Sequence, residues 1–287
     1  MAAETLTIHA AATTLLFLAL FLSSLQPIGS SCKAATQFVQ WYVVPYASSI
    51  KYIVVGNEVS MDSSQAPLVA PAMQNVLNAL NSANLGGQIN VTTAISTSLL
   101  INSYPPSNSR FKNMGFMGPV ANFLYRNGSP LFLNVFTYFA HADPKNNGNI
   151  PLNYALFTSP SPAFTDPNNG LQYYNLFDAL VDATYAALSK ATTPMFTTLS
   201  TSSRHPSTRI LASESGWPSN GTLGGMSTYH TNANGGATLS NAETYYTNLI
   251  DHVKQGTPLK PGPIETYLFE SFDENKKPGD TVELNFN

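Results

Sequence analysis

The chain has 287 residues and a mass of 30.9 kDa, enough for one large domain or two small ones. Its 13 Lys+Arg and 16 Asp+Glu leave a net charge of −3, and charged residues make up only 10% of the chain against roughly 25% in ordinary soluble proteins, which argues against nucleic acid as a partner. A hydrophobic content of 43% argues equally against disorder, and the polar character, carried by Asn, Ser, Thr and Tyr, suits a neutral, hydroxyl-rich ligand such as a sugar.

Thr13 to Leu25 reads TTLLFLALFLSSL and is followed by Pro27 and the small residues Gly29, Ser30 and Ser31. The apolar core is shorter than the ~20 residues that span a bilayer, so residues 1–31 are expected to be a cleavable secretory signal, although no Lys or Arg precedes the run and Glu4 is acidic. No later segment is apolar enough to cross a membrane, and no membrane contact is expected after cleavage. A secreted chain would carry N-glycans at the sequons of Asn90, Asn127 and Asn220. The lone Cys32 excludes an intrachain disulfide, and the five histidines never fall at metal-ligand spacing, so neither a metal nor a cofactor is expected.

Beyond residue 35, strand and helix patterns alternate. Strands are predicted near 51–57, 88–95, 131–139, 209–214 and 264–272. Helices are predicted over 67–83, 119–126 and 171–190, and from a capping box at Ser240 and Glu243 to about Lys254. Such alternation implies a parallel α/β sheet, either doubly wound or a β/α barrel. No GxGxxG, GxxxxGK[ST] or GxSxG motif follows any strand, which removes the usual nucleotide-binding and serine-hydrolase readings.

The acids collect where strands end. Glu58 follows Val55-Gly56-Asn57, Glu214 lies within Ser213-Glu214-Ser215-Gly216-Trp217, and Asp273 and Glu274 follow the fifth strand with Lys277 close behind. Strand C-termini of a parallel barrel share one cleft, so these groups should meet. Each alone could be a helix cap or a solvated loop acid. Together they suit glycoside hydrolysis, in which one carboxylic acid protonates the leaving oxygen and a second carboxylate attacks or activates water. The apolar strand before Glu58 and the hydroxyls around Glu214 favour Glu58 as the protonated acid and Glu214 as the ionised nucleophile.

These segments resemble glycoside hydrolase family 17, the plant glucan endo-1,3-β-glucosidases. The resembling pieces are Tyr52-Ile-Val-Val-Gly-Asn-Glu-Val59, Leu131 to His141, Leu152 to Phe157, Asn168 to Leu188, Ser213-Glu-Ser-Gly-Trp-Pro-Ser219, and Glu265 through Gly279. The resemblance implies a (β/α)8 barrel over residues 35–287 and retaining endo-hydrolysis of β-1,3-glucan in plant defence or wall metabolism. It implies acid/base Glu58, nucleophile Glu214, supporting Glu274, Lys277 and Glu283, and substrate contacts from Asn57 and Tyr138. Phe139 and Trp217 are added as aromatic candidates for sugar contact. The expected destination is extracellular or cell-wall, with the vacuole as the alternative.

The family has three βα units before the Val-Gly-Asn-Glu strand, whereas about 20 residues separate the expected cleavage site from Lys51, and Met195 to Ser207 resembles an insertion. The expectation is therefore an incomplete catalytic domain: an open partial barrel of about five βα units, poorly soluble or dependent on another chain. Two rival readings stand beside the enzyme: a catalytically inactive relative that at most binds glucan, and a structural or allergen-like wall protein without a cleft.

Overall fold

The computed structural model describes residues 25–146, 149–192, 208–224, 236–274 and 276–286. The expected signal up to residue 24 and the expected insertion from 195 lie outside them. Two short helices open the described chain, α1 (Leu25–Ser30) and α2 (Cys32–Phe38). Both pack on a later helix, and Asn75 donates from Nδ2 to the Ile28 carbonyl at 2.8 Å.

Five parallel strands then form one sheet in chain order: β1 (Tyr52–Asn57), β2 (Asn90–Ser96), β5 (Leu131–Asn134), β8 (Ile210–Ser215) and β9 (Thr266–Leu268). Two-residue strands fill the loops, β3 (Leu100–Ile101) with β4 (Arg110–Phe111), and β6 (Phe164–Thr165) with β7 (Gln172–Tyr173). The sheet is open, as expected: β1 and β9 are its edges. Its helices are α3 (Val69–Ser82), α4 (Met114–Asn127), α5 (Thr137–Ala142), α6 (Leu152–Ala155), α7 (Leu176–Ala191) and α8 (Leu239–His252).

Strand alternation divides the core in two. Ile53, Val55, Leu131, Leu133, Ile210 and Ala212 face outward into the large core shared with the helices. Tyr52, Val54, Ala94, Phe132 and Leu211 form a small cluster on the concave face. In α3, Val69, Ala72, Met73, Val76, Ala79 and Leu80 recur at three- and four-residue spacing and are buried together against the sheet.

Several predicted boundaries move, each for a local reason. Helix α4 begins five residues before Pro119, because Asn113 Oδ1 accepts from Phe116 N at 3.0 Å. That cap and six buried side chains outweigh the one bond that Pro119 cannot donate. Helix α7 starts at Leu176 rather than 171, because Gln172–Tyr173 pair with Phe164–Thr165 and Asn175 supplies the cap. The apolar run 131–139 breaks at Asn134 and ends as helix α5, a distinction that periodicity cannot draw in a short buried run. The last strand keeps only Thr266–Leu268: Phe269 N still donates to Ser215 O, but Glu270 N donates to the Phe286 carbonyl of the C-terminal segment.

The capping box expected at Ser240 and Glu243 is displaced. Thr238 is the N-cap of α8, and its Oγ1 accepts from Asn241 N at 3.2 Å. Thr238→Ala is therefore expected to cost about 1 kcal/mol, read as a shift of the urea midpoint at constant m-value. Ser240→Ala should leave the midpoint within about 0.5 kcal/mol of wild type.

Candidate active site

Residues at the ends of all five strands meet above the concave face, in a cleft of about 1020 Å³. Two irregularities aim them there. Between Val54 and Asn57, β1 advances three residues while β2 advances two, and Gly56 sits at φ 78°. Only a residue without Cβ takes that conformation freely. On β8, Ala212 and Glu214 oppose the consecutive residues Leu133 and Asn134. An extra residue of this kind is a β-bulge, and it turns the following side chain to the other face. Strict alternation from Tyr52 and Leu211 would send Asn57 and Glu214 outward; the bulges bring them into the cleft.

The two carboxylates are joined through amides. Asn57 Nδ2 donates to Glu214 Oε1 at 3.2 Å. Asn134 Nδ2 donates to Glu58 Oε1 at 2.9 Å and to Asn57 Oδ1 at 3.1 Å, while its Oδ1 accepts from Ser213 Oγ at 2.7 Å. Asn134 was not singled out in the sequence. A polar residue ending the apolar strand Leu131-Phe-Leu was the available signal.

The environments reverse one expectation. Glu58 is the exposed member, held at φ 49°, whereas Glu214 is 9% exposed. Burial, then the neighbouring Glu58 charge, pushes the Glu214 carboxyl up to about 7; the Asn57 bond and Lys277 only partly oppose this. The apolar strand before Glu58 does not bury it, because the chain turns into the cleft at Gly56.

Lys277 lies between Glu274 and Glu283, with Nζ 3.1 Å from a carboxylate oxygen of each and 5.1 Å from the Phe269 ring centroid. Burial works against its charge, but the two carboxylates hold the ammonium above its usual value. Glu270, also missed in the sequence, is pushed up to about 7 by burial and then by Glu274.

The aromatic candidates divide. Phe139 lines the cleft together with Phe136, Phe269 and Phe286, which touch one another at centroid distances of 5.5–5.8 Å. Tyr138 and Trp217 are corrections to the expected substrate contacts. Both are 0% exposed, packed at 5.2 Å, and the Trp217 indole donates to the Gly236 carbonyl. Rings of this size contribute most when fully desolvated, and the segment after Glu214 has the α8 core beneath it.

Paired carboxyls at the C-terminal ends of parallel strands, in a cleft walled by rings and amides, define a carbohydrate hydrolase of the β/α-barrel class. Comparison with known proteins narrows this. Residues 2–287 match the sequence profile of the glycosyl hydrolases family 17. A glucan endo-1,3-beta-glucosidase of Vitis vinifera is 45% identical over 271 residues, covering 92% of this chain and 71% of the relative. Glucan endo-1,3-beta-glucosidase GV of Hordeum vulgare is 45% identical over 237 residues, covering 83% and 66%. Among solved structures, a plant beta-glucan endohydrolase superposes with a TM-score of 0.78 at 37% identity, covering 92% of this chain and 77% of that one. A β-1,3-glucanase and pollen allergen of Cryptomeria japonica gives the same values. The chain belongs to glycosyl hydrolase family 17, and it spans about two thirds to three quarters of the length of these relatives.

Proposed function

We propose that this chain is a secreted endo-β-1,3-glucan hydrolase that cleaves with retention, serving plant defence or wall glucan turnover. The observation that carries the reading is the Glu58–Asn134–Asn57–Glu214 chain of hydrogen bonds inside the cleft. Glu214, fixed by Asn57 and facing Lys277, is the nucleophile. Its carboxylate oxygen attacks the anomeric carbon while Glu58 gives its proton to the departing glycosidic oxygen. In the second step Glu58 takes a proton from water, whose oxygen displaces Glu214 from the glucosyl ester and restores the free carboxylate.

Attack needs Glu58 protonated and Glu214 ionised, and burial works against the ionised form of Glu214. Charge from Lys277 and the donated Asn57 bond support the ionised nucleophile, and ester formation then removes the negative charge that faces Glu58. Glu274 and Glu283 hold Lys277 in place. Phe139 and Phe136 offer apolar faces to pyranose rings. Secretion is supported by the apolar run before Pro27, and N-glycans are proposed on the exposed Asn127 and Asn220; Asn90 is the half-buried first residue of β2.

Purified protein is expected to release reducing sugar from laminarin, and Glu214→Gln to release none. Laminarin binding without release by the wild type would leave the inactive-relative reading in its place. A second expectation concerns pH. The active form holds one proton on the pair, so kcat/KM should fall as pH rises past about 7 and the last proton leaves. Removing the Glu58 charge removes a cause that raises Glu214. In Glu58→Gln, the Glu214 carboxyl should therefore titrate at lower pH in a carbon-13 NMR titration. An unchanged or higher value would remove Glu58 as an electrostatic neighbour of Glu214.

A further inference from the structure

The two edges of the open sheet carry no backbone bonds to each other, yet side chains span the gap at its lower end. Glu265, one residue before β9, receives Lys51 Nζ on both carboxylate oxygens at 2.9 Å. Tyr52 Oη donates to its Oε2 at 3.0 Å and Tyr267 Oη to its Oε1 at 2.9 Å. Burial alone would raise the Glu265 carboxyl, but Lys51 and the two phenols hold it below its usual value. Beneath the carboxylate, the Phe132 ring lies against Tyr52 at 5.1 Å and Tyr267 at 6.3 Å, which joins both edges to the middle strand.

Glu265 is also bound to the strand that carries Glu214, since its carbonyl accepts from Ala212 N at 3.1 Å. On the other side, Tyr52 starts the strand that delivers Asn57 and Glu58. A single residue thus ties the foot of β1, through its carboxylate, to the feet of β8 and β9, and the Asn57–Glu214 bond is the corresponding link at the top. We propose that Glu265, with Lys51 and Tyr52, is a positioning group that sets the separation of Asn57 and Glu58 from Glu214 by clasping the open side of the sheet.

The chain of backbone bonds from β1 through β2 and β5 to β8 fixes neighbouring strands but leaves the curvature of an unclosed sheet free, because closure is what normally sets it. Without the clasp, β1 swings outward about the opposite edge. Catalytic geometry is sensitive to such movement: a 1 Å displacement can cost about a hundredfold in rate. The inference rests on the glucan-cleaving reading of the cleft, so one readout is chosen that needs no turnover.

The variants are Glu265→Ala, Lys51→Met and Lys51→Arg, measured well below each melting temperature after circular dichroism has shown the native fold. Glu265→Ala is expected to lower kcat on laminarin by about ten- to a hundredfold with KM within about threefold of wild type, and Lys51→Met to act in the same direction more weakly. Lys51→Arg, which keeps a cation for both oxygens, is expected to restore wild-type values. The turnover-free readout is the Glu214 titration by carbon-13 NMR. Glu58 and Lys277 are the charged groups that act on Glu214, and Asn57 and Asn134 are its amide neighbours. An outward swing of β1 removes burial and the Glu58 charge, which together outweigh the lost Asn57 bond, so the titration should move to lower pH in Glu265→Ala. A lower melting temperature with kcat and the Glu214 titration both at wild-type values would overturn the proposal and leave the cluster a stabilising contact only. If Glu265→Ala does not fold, Lys51→Met decides by the same two measurements, because it removes the more exposed member of the pair. If the wild type does not cleave laminarin, the glucanase reading falls, and the NMR titration alone decides the clasp.

Discussion

Glu214→Gln is expected to reduce laminarin cleavage by roughly three orders of magnitude or more and, at the same time, to make the protein harder to unfold at neutral pH. The loss follows from removing the nucleophile, because an amide cannot form the glycosyl ester. The gain follows from linkage. Burial and Glu58 raise the Glu214 carboxyl from 4.5 to about 7, so the folded chain holds this proton more tightly than the unfolded chain. The sign is fixed by that difference: the contribution of Glu214 to stability is most favourable below about 4.5, declines as pH rises towards 7, and carries the whole penalty above. For a group only 9% exposed, the penalty is on the order of 3 kcal/mol. Gln is neutral at every pH and keeps an oxygen for Asn57, so it escapes most of this cost, while Lys277 retains Glu274 and Glu283. Thermal unfolding at pH 5 and pH 8 checks it: the variant should melt several degrees above wild type at pH 8, with the gap narrowing at pH 5. An equal or lower melting temperature at pH 8 would show that Glu214 is not strained by its surroundings.

The second large effect lies two residues on. A Cβ on Gly216 would sit 2.0 Å from the Phe269 carbonyl oxygen and 2.8 Å from Tyr246 Oη. Neither neighbour can retreat cheaply, because Tyr246 Oη donates to that carbonyl at 2.6 Å and Phe269 N donates to Ser215 O at 2.9 Å. Gly216→Ala must therefore part β8 from the chain beyond β9, breaking bonds as well as overpacking. We expect a loss of about 3 kcal/mol or more, against a total native stability of about 5–15 kcal/mol. Because Phe269 faces Lys277 and lines the cleft, activity should fall with it. Gly87→Ala is the control: it has open space around the added carbon and should stay within about 0.5 kcal/mol of wild type. Urea midpoints for the three proteins decide the matter, and a Gly216→Ala midpoint near wild type would mean that the Phe269 carbonyl is free to move.

The number of parallel strands and the strand ends bearing Glu58 and Glu214 were legible in the amino-acid sequence, whereas local patterns left the strand order open between a doubly wound sheet and a barrel, and Glu274 lies in the loop beyond the last strand. Local patterns carry that information: β-branched runs of four to eight residues, helical spacing between them, and carboxylates placed where an apolar run stops. The Val-Gly-Asn-Glu and Ser-Glu-Ser-Gly-Trp-Pro segments carried the family in the same way. Burial of individual side chains was a different matter. Trp217 follows Glu214 by three residues and looked like a sugar platform, but the helix beneath it, α8, is placed by contacts far away in sequence. Exposure at Glu58 and burial at Glu214 were likewise misjudged from their neighbours in the chain, since the neighbours that decide a pKa come from other strands.

What the sequence determined by itself, then, is which runs form strands and helices and which residues stand where the apolar runs stop, because propensity and periodicity act over a few residues. Only the tertiary structure decided which way those residues face. The bulges before Asn57 and before Glu214 are single-residue mismatches between two strands, invisible in either strand alone, and each turns a side chain through the sheet. The same holds for Glu265, whose bond to Lys51 joins positions 214 residues apart and exists only because the open sheet curves far enough to bring its two edges within reach.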